Sequence, residues 1–165
     1  MRVYISDLTV SMINDINKKT EENGYIFKPH VLFPYAHRES EKNNKELFNI
    51  IENSGLCSSI MVDSGTYVMH KLTTQNKAQF DFNRGFKEYT QFISDASEFC
   101  GKIDYYVNFD VSFDVSDAYE INSCFQNKME QMNLSPIYVI HSLDSKEYNF
   151  VIEKNIILLQ YHRLY

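Results

Sequence analysis

Short apolar runs alternate along the chain with stretches whose apolar residues recur at helical spacing. The runs are typical of buried strands, and the spaced stretches are typical of amphipathic helices. The pattern predicts strands at 3–5, 30–33, 60–63, 105–109, 137–140 and 156–159, and helices over 9–23, 41–54, 84–100, 117–132 and 145–154. Strands separated by helices pair in parallel through right-handed crossovers. The pattern therefore predicts an α/β fold, either an open doubly wound sheet or most of a (β/α)₈ barrel.

Composition narrows the class of protein. A chain of 165 residues with 44% hydrophobic and 23% charged residues is expected to form a single globular domain over 1–165. A net charge of −6 argues against loose, charge-driven binding of nucleic acid. No apolar run approaches a membrane span, and the N-terminus lacks signal-peptide features, so we expect a cytoplasmic protein. Cys57, Cys100 and Cys124 form no CxxC pair, and the last two are predicted to face the core from their helices.

The third apolar strand ends in Asp63-Ser64-Gly65. A carboxylate at the end of a buried strand either caps the following turn or is a chemical group held on a rigid support. The carboxyl ends of strands are where α/β folds build their sites, which favours an acid/base or nucleophilic role for Asp63. Gly65 would let a ligand approach the backbone closely.

Two later strands also end in polar residues. Asn108 and Asp110 follow the fourth strand, and His141 follows the fifth. An amide and a carboxylate together can read a nucleobase edge or orient a sugar hydroxyl, whereas Asp110 could instead cap a turn. Asp63, Asp110 and His141 could form the metal site of a hydrolase, but no close ligand pair such as HxH supports a metal ion. No GxGxxG or GxxxxGK[ST] loop follows any strand, so we expect no cofactor.

A locally basic stretch follows the Asp-Ser-Gly motif, within a predicted loop over 67–83 and the start of the next helix. Its positive residues are Lys71, Lys77, Arg84 and Lys87, against the single acid Asp81. Such a stretch either tracks a phosphate backbone on an otherwise acidic protein or is an ordinary solvated surface.

Three segments, 61–67, 106–110 and 136–141, together resemble the tRNA-guanine transglycosylase superfamily. The closest resemblance is to its phage and bacterial branch of queuine tRNA-ribosyltransferase-like, DNA-modifying proteins. The resemblance implies a (β/α)₈ barrel that exchanges a purine base at a glycosidic bond. It implies an acid/base role for Asp63 and a base-binding role for Asp110, with Ser64, Gly65, Asn108 and His141 beside the substrate. The implied partners are DNA or tRNA and a guanine- or deazapurine-type base.

The chain departs from this family in three ways. The family's second catalytic Asp would lie beyond Tyr165, the Gly-Gly turn that receives the base is absent from 158–162, and there is no zinc-binding cysteine cluster. We therefore expect an incomplete barrel of about six parallel strands, truncated or completed by a second chain, with little exchange activity alone. The alternatives are a non-catalytic module that binds a nucleobase, a nucleic acid or a protein, and a metal-dependent hydrolase.

Overall fold

The computed structural model describes residues 4–5, 8–35, 55–66, 71, 75, 81–99, 103–111, 117–140, 145–154 and 158–160. Its strands are β1 (Tyr4–Ile5), β2 (His30–Pro34), β3 (Ser59–Asp63), β4 (Ile103–Tyr106), β5 (Tyr138–Ile140) and β6 (Leu158–Gln160). Its helices are α1 (Val10–Glu22), α2 (Phe82–Phe99), α3 (Ala118–Gln131) and α4 (Ser145–Lys154). The predicted helix over 41–54 lies outside the described residues.

The strands pair in parallel, which confirms the predicted α/β class. Strands β1, β2, β3 and β4 form a four-stranded sheet in that order, and β5 pairs with β6. A single parallel bridge between Val107 and Ile137 links the end of β4 to the start of β5. Each described pairing thus joins strands that are neighbours in sequence.

The two faces of the sheet are covered differently. On one face, helix residues such as Ile13, Ile93 and Phe125 pack against Val31 and Val62 in the main hydrophobic cluster. Helix α4 packs on that side of β5 as well, where Val151 contacts Tyr138 and Ile140. The opposite face carries a second cluster made only of residues from the strands and the β4–β5 bridge. Its members are Tyr4, Leu32, Met61, Tyr105, Val107, Ile137 and Val139.

The helix ends follow from local chemistry. The hydroxyl of Thr9 accepts a bond from the Met12 N–H and begins α1, and Gly24, with φ +77°, follows its end. Helix α2 begins at Phe82, two residues earlier than predicted. Asp81 caps that helix by accepting a bond of 3.0 Å from the Arg84 N–H.

Two other predictions need correction. Strand β4 begins two residues earlier than predicted and ends at Tyr106, because from Val107 onwards side chains replace part of the ladder. The loop predicted over 67–83 is wrong at Lys71 and Gln75, which have helical backbone. None of the described helices is both long and apolar enough to span a membrane.

Candidate functional site

The turn after β3 brings three small residues to the carboxyl edge of the sheet. Asp63 ends the strand and is partly exposed, whereas Ser64 and Thr66 are each 1% exposed. Gly65 between them has φ +64°, a left-handed conformation that is costly for any residue with a Cβ. The glycine therefore permits the turn that buries both hydroxyls.

Ser64 and Asp110 connect the ends of β3 and β4. The Ser64 hydroxyl donates a hydrogen bond of 2.9 Å to Oδ1 of Asp110. The Thr66 hydroxyl in turn lies 3.1 Å from the Ser64 oxygen, to which it donates. The two hydroxyls thus form a chain of hydrogen bonds that ends at the Asp110 carboxylate. The bond from Thr66 orients the Ser64 hydroxyl towards Asp110.

Asn108, two residues before Asp110, is completely buried. Its side-chain oxygen has a hydrogen-bond partner, whereas its side-chain nitrogen has none among the described residues. Its Oδ1 accepts a bond of 3.3 Å from the Val139 N–H. Its Nδ2 is buried and has no hydrogen-bond partner among the described residues. An unpaired buried donor is costly, on the order of 1–3 kcal/mol, so such a group is a natural partner for an acceptor on a ligand.

Tyr89 of α2 bonds the backbone of the residue before Asn108. It is fully buried, and its hydroxyl donates a bond of 2.8 Å to the Val107 carbonyl. Burial and then the negative charges of Asp63 and Asp110 hold the pKa of Tyr89 well above its ordinary value. The hydroxyl therefore stays protonated and can donate to the Val107 carbonyl.

Asn122 of α3 holds the residue that follows Asp110. Its Oδ1 accepts a bond of 2.6 Å from the Val111 N–H, and its Nδ2 donates one of 3.1 Å to the Val111 carbonyl. Both residues are 1% exposed. One side chain thus satisfies both backbone groups of Val111.

The structure brings together five of the predicted site residues, Asp63, Ser64, Gly65, Asn108 and Asp110, at one edge. His141 lies outside the described residues, so its predicted place in the site is not described. The sequence did not single out Thr66, Tyr89 or Asn122. The only signal for Thr66 was its position two residues beyond Ser64, and the two helical residues looked like ordinary members of amphipathic patterns.

The basic stretch is less available for binding than its composition suggested. Lys71 and Lys87 are exposed, and Lys77 lies outside the described residues. Arg84 forms an exposed ion pair of 2.8 Å with Glu88, one turn further along α2. Of the described positive groups in this stretch, Arg84 is therefore already partnered by an acid.

The arrangement can accept and donate hydrogen bonds at one edge. Asp63 and Asp110 supply carboxylate oxygens, and Asn108 supplies an amide donor. Within the described ranges, no three His, Cys, Asp or Glu side chains are grouped as ligands for a metal ion. The predicted Asp63–Asp110–His141 metal site includes a residue outside those ranges.

Comparisons with protein-family models, with curated proteins and with solved structures find no match to this chain.

Proposed function

We propose that this domain binds a guanine-type base at the β3–β4 edge, as a relative of the enzymes that exchange a purine base in DNA or tRNA. The observation that carries the proposal is the Ser64–Asp110 hydrogen bond of 2.9 Å, which joins two of the three motifs of the resemblance at one edge. Two segments that carry the sequence resemblance to the family are thus also in contact in the structure.

The chemistry of the edge supports a base that has a carbonyl next to an N–H group. A carboxylate accepts hydrogen bonds at two oxygens with about four lone-pair sites, so the Ser64 bond is compatible with further donors to Asp110. The buried Nδ2 of Asn108 supplies the complementary donor. In this proposal Asp110 accepts from the ring N–H, and Asp63 acts as the acid or base at the glycosidic bond.

The arrangement of the sheet supports the barrel that such enzymes use. Parallel strands in sequential order, with the described helices on one face, are the pattern of a (β/α) barrel. Among the described residues, the second cluster contains only members of the strands and the β4–β5 bridge, as the interior of a barrel does. A doubly wound sheet would instead have helices on both faces.

Titration calorimetry tests the base-binding role. We expect the purified chain to bind 7-deazaguanine and to bind adenine at least about tenfold more weakly, because adenine offers an amino group where Asn108 needs an acceptor. Asp110→Asn should lower the affinity for 7-deazaguanine by about tenfold or more. Asp15→Asn, on the exposed surface of α1, is the matched control and should not change it.

A second assay separates catalysis from binding. Labelled guanine is offered with DNA or tRNA to the purified chain and to its Asp63→Asn variant. Exchange that is lost in the variant would support the acid/base role of Asp63, whereas binding without exchange would favour a non-catalytic module. Absence of base binding by the chain would overturn the proposal.

A further inference from the structure

The residues after β4 leave the sheet gradually, and side chains make some of the bonds that the sheet would have made. In a regular parallel ladder, the Val107 carbonyl would accept from the Ser64 N–H, and the Asn108 carbonyl would accept from the Val139 N–H. The Val107 carbonyl instead accepts from the Tyr89 hydroxyl at 2.8 Å. The Val139 N–H donates to the side chain of Asn108 at 3.3 Å.

The same substitution continues to the end of the segment 107–111, which we call the β4 tail. Asn122 of α3 bonds both the N–H and the carbonyl of Val111. Ser64 bonds the side chain of Asp110. The N–H groups of Val107 and Asn108 still donate to the carbonyls of Val62 and Ile137, each at 2.9 Å. The other described bonds of the tail come from side chains of α2, α3 and the turn after β3.

This arrangement satisfies buried backbone groups at which ladder bonds are missing. Val107, Asn108, Phe109 and Val111 are all at most 1% exposed, so their polar groups need partners inside the protein. The N–H groups of Val107 and Asn108 keep partners on β3 and β5, which holds the start of the tail in the line of the sheet. Side-chain partners for the Val107 carbonyl and for both backbone groups of Val111 let the rest of the tail depart from that line.

We infer that Tyr89 and Asn122 are positioning residues for Asp110. They hold the β4 tail at its two ends, Val107 and Val111, so that the carboxylate between them meets Ser64 and is presented at the edge. The part of this inference that concerns a ligand rests on the proposed base-binding function.

A matched pair of tyrosine variants tests the inference. Tyr89→Phe keeps the ring but removes the bond to Val107. Tyr106→Phe removes a bond of the same length, 2.8 Å, which the Ser135 N–H donates to the Tyr106 hydroxyl and which does not involve the β4 tail. We expect both variants to lower the urea midpoint to a similar extent. Only Tyr89→Phe should weaken the binding of 7-deazaguanine, by about tenfold.

A ligand-independent measurement keeps the inference testable if no base binds. In Tyr89→Phe, the Val107 carbonyl can accept a hydrogen bond from the Ser64 N–H. Hydrogen exchange at the Ser64 amide should therefore be slower in Tyr89→Phe than in Tyr106→Phe. Asn122→Asp retains an acceptor for the Val111 N–H and removes the donor to its carbonyl, and should speed exchange within the β4 tail.

The outcomes separate the two proposals. Failure of the unmodified chain to bind 7-deazaguanine would overturn the proposed function, while the exchange rates would still decide the positioning role. Tyr89→Phe and Tyr106→Phe proteins with the same exchange rate at Ser64 would overturn the positioning role, whether or not a base binds.

Discussion

The hydroxyl of Ser64 donates a hydrogen bond to the carboxylate of Asp110, 46 residues later in the sequence and 2.9 Å away. Ser64 follows β3 and Asp110 follows β4, so the bond joins the carboxyl ends of two neighbouring strands. The Ser64 side of the contact is 1% exposed, where a hydrogen bond to a carboxylate is stronger than at the surface. Asp110 is therefore held in one orientation before any ligand arrives.

Ser64→Ala should weaken base binding and the fold to a similar extent. The variant removes the donor that orients Asp110, and we expect about a tenfold loss of affinity for 7-deazaguanine with about 1–2 kcal/mol lost from the free energy of unfolding. Calorimetric titration and urea unfolding measure the two effects. Ser123→Ala removes a hydroxyl bond within α3 and serves as the control. Equal affinities of the Ser64→Ala and unmodified proteins would contradict the prediction.

Gly65→Ala should distort the turn that carries Ser64. At φ +64° a Cβ costs on the order of 1–2 kcal/mol, and we expect that loss of unfolding free energy in urea. Gly24→Ala, at φ +77° with no atom within 4 Å of the added Cβ, should lose a similar amount. Only the Gly65 variant should also lose affinity for 7-deazaguanine. A binding defect in the Gly24 variant would show that the effect comes from stability alone.

The fold should lose stability in alkali. Burial and nearby carboxylates raise the pKa of Tyr89, and burial followed by the charge of Glu147 raises that of Tyr138. Both stay protonated in the folded protein above pH 10.0, the ordinary tyrosine value, at which the unfolded chain begins to release these protons. Their contribution is complete below that pH and is lost as the pH rises above it.

Urea unfolding at a series of pH values from about 8 to about 11 measures this loss. Tyr89→Phe should flatten the alkaline decline, whereas Tyr25→Phe, which changes a residue 70% exposed, should leave it as it is. A decline of the same steepness in Tyr89→Phe would show that other groups cause it.

Lys87 and Arg84 should contribute unequally to any binding of nucleic acid. Lys87 is exposed, whereas Arg84 is paired with Glu88 at 2.8 Å. We expect Lys87→Ala to weaken binding of a short DNA duplex by a few-fold and to lower its salt dependence, and Arg84→Ala to do less. Fluorescence anisotropy over a range of salt concentrations checks this, with Lys18→Ala on α1 as the control. Equal effects of the Lys87 and Lys18 variants would remove the basic stretch from the proposed interface.

Periodicity predicted most of the described architecture, because it reports which side of an element is apolar. Helix α4 was predicted at its observed bounds, and β3 was predicted to end at Asp63. The carboxyl-edge rule for parallel strands predicted that Asp63 and Asp110 lie at the same edge of the sheet. These are properties of single elements and of the sheet as a whole.

Polar residues that replace backbone partners could not be predicted in this way. Cys124 was expected to face the core and is exposed, because α3 turns Asn122 and Gln126 inward instead. Asn122 faces inward because the buried N–H and carbonyl of Val111, which lies beyond the end of β4, need hydrogen-bond partners. Such a requirement arises from the tertiary structure, so it cannot be detected in the pattern of apolar residues along α3.

The sequential order of the strands has a consequence for how the domain assembles. Each described pairing joins strands adjacent in the chain, so the loops that must close are short relative to the whole, and the sheet can grow strand by strand from its N-terminal end. The bond from Ser64 to Asp110 can form only after β4 has been added to the sheet. The bond from Val139 to Asn108 can form only after β5 has been added. The candidate site is therefore completed late, and a nascent chain that has made only its first three strands contains Asp63 without the carboxylate that accompanies it.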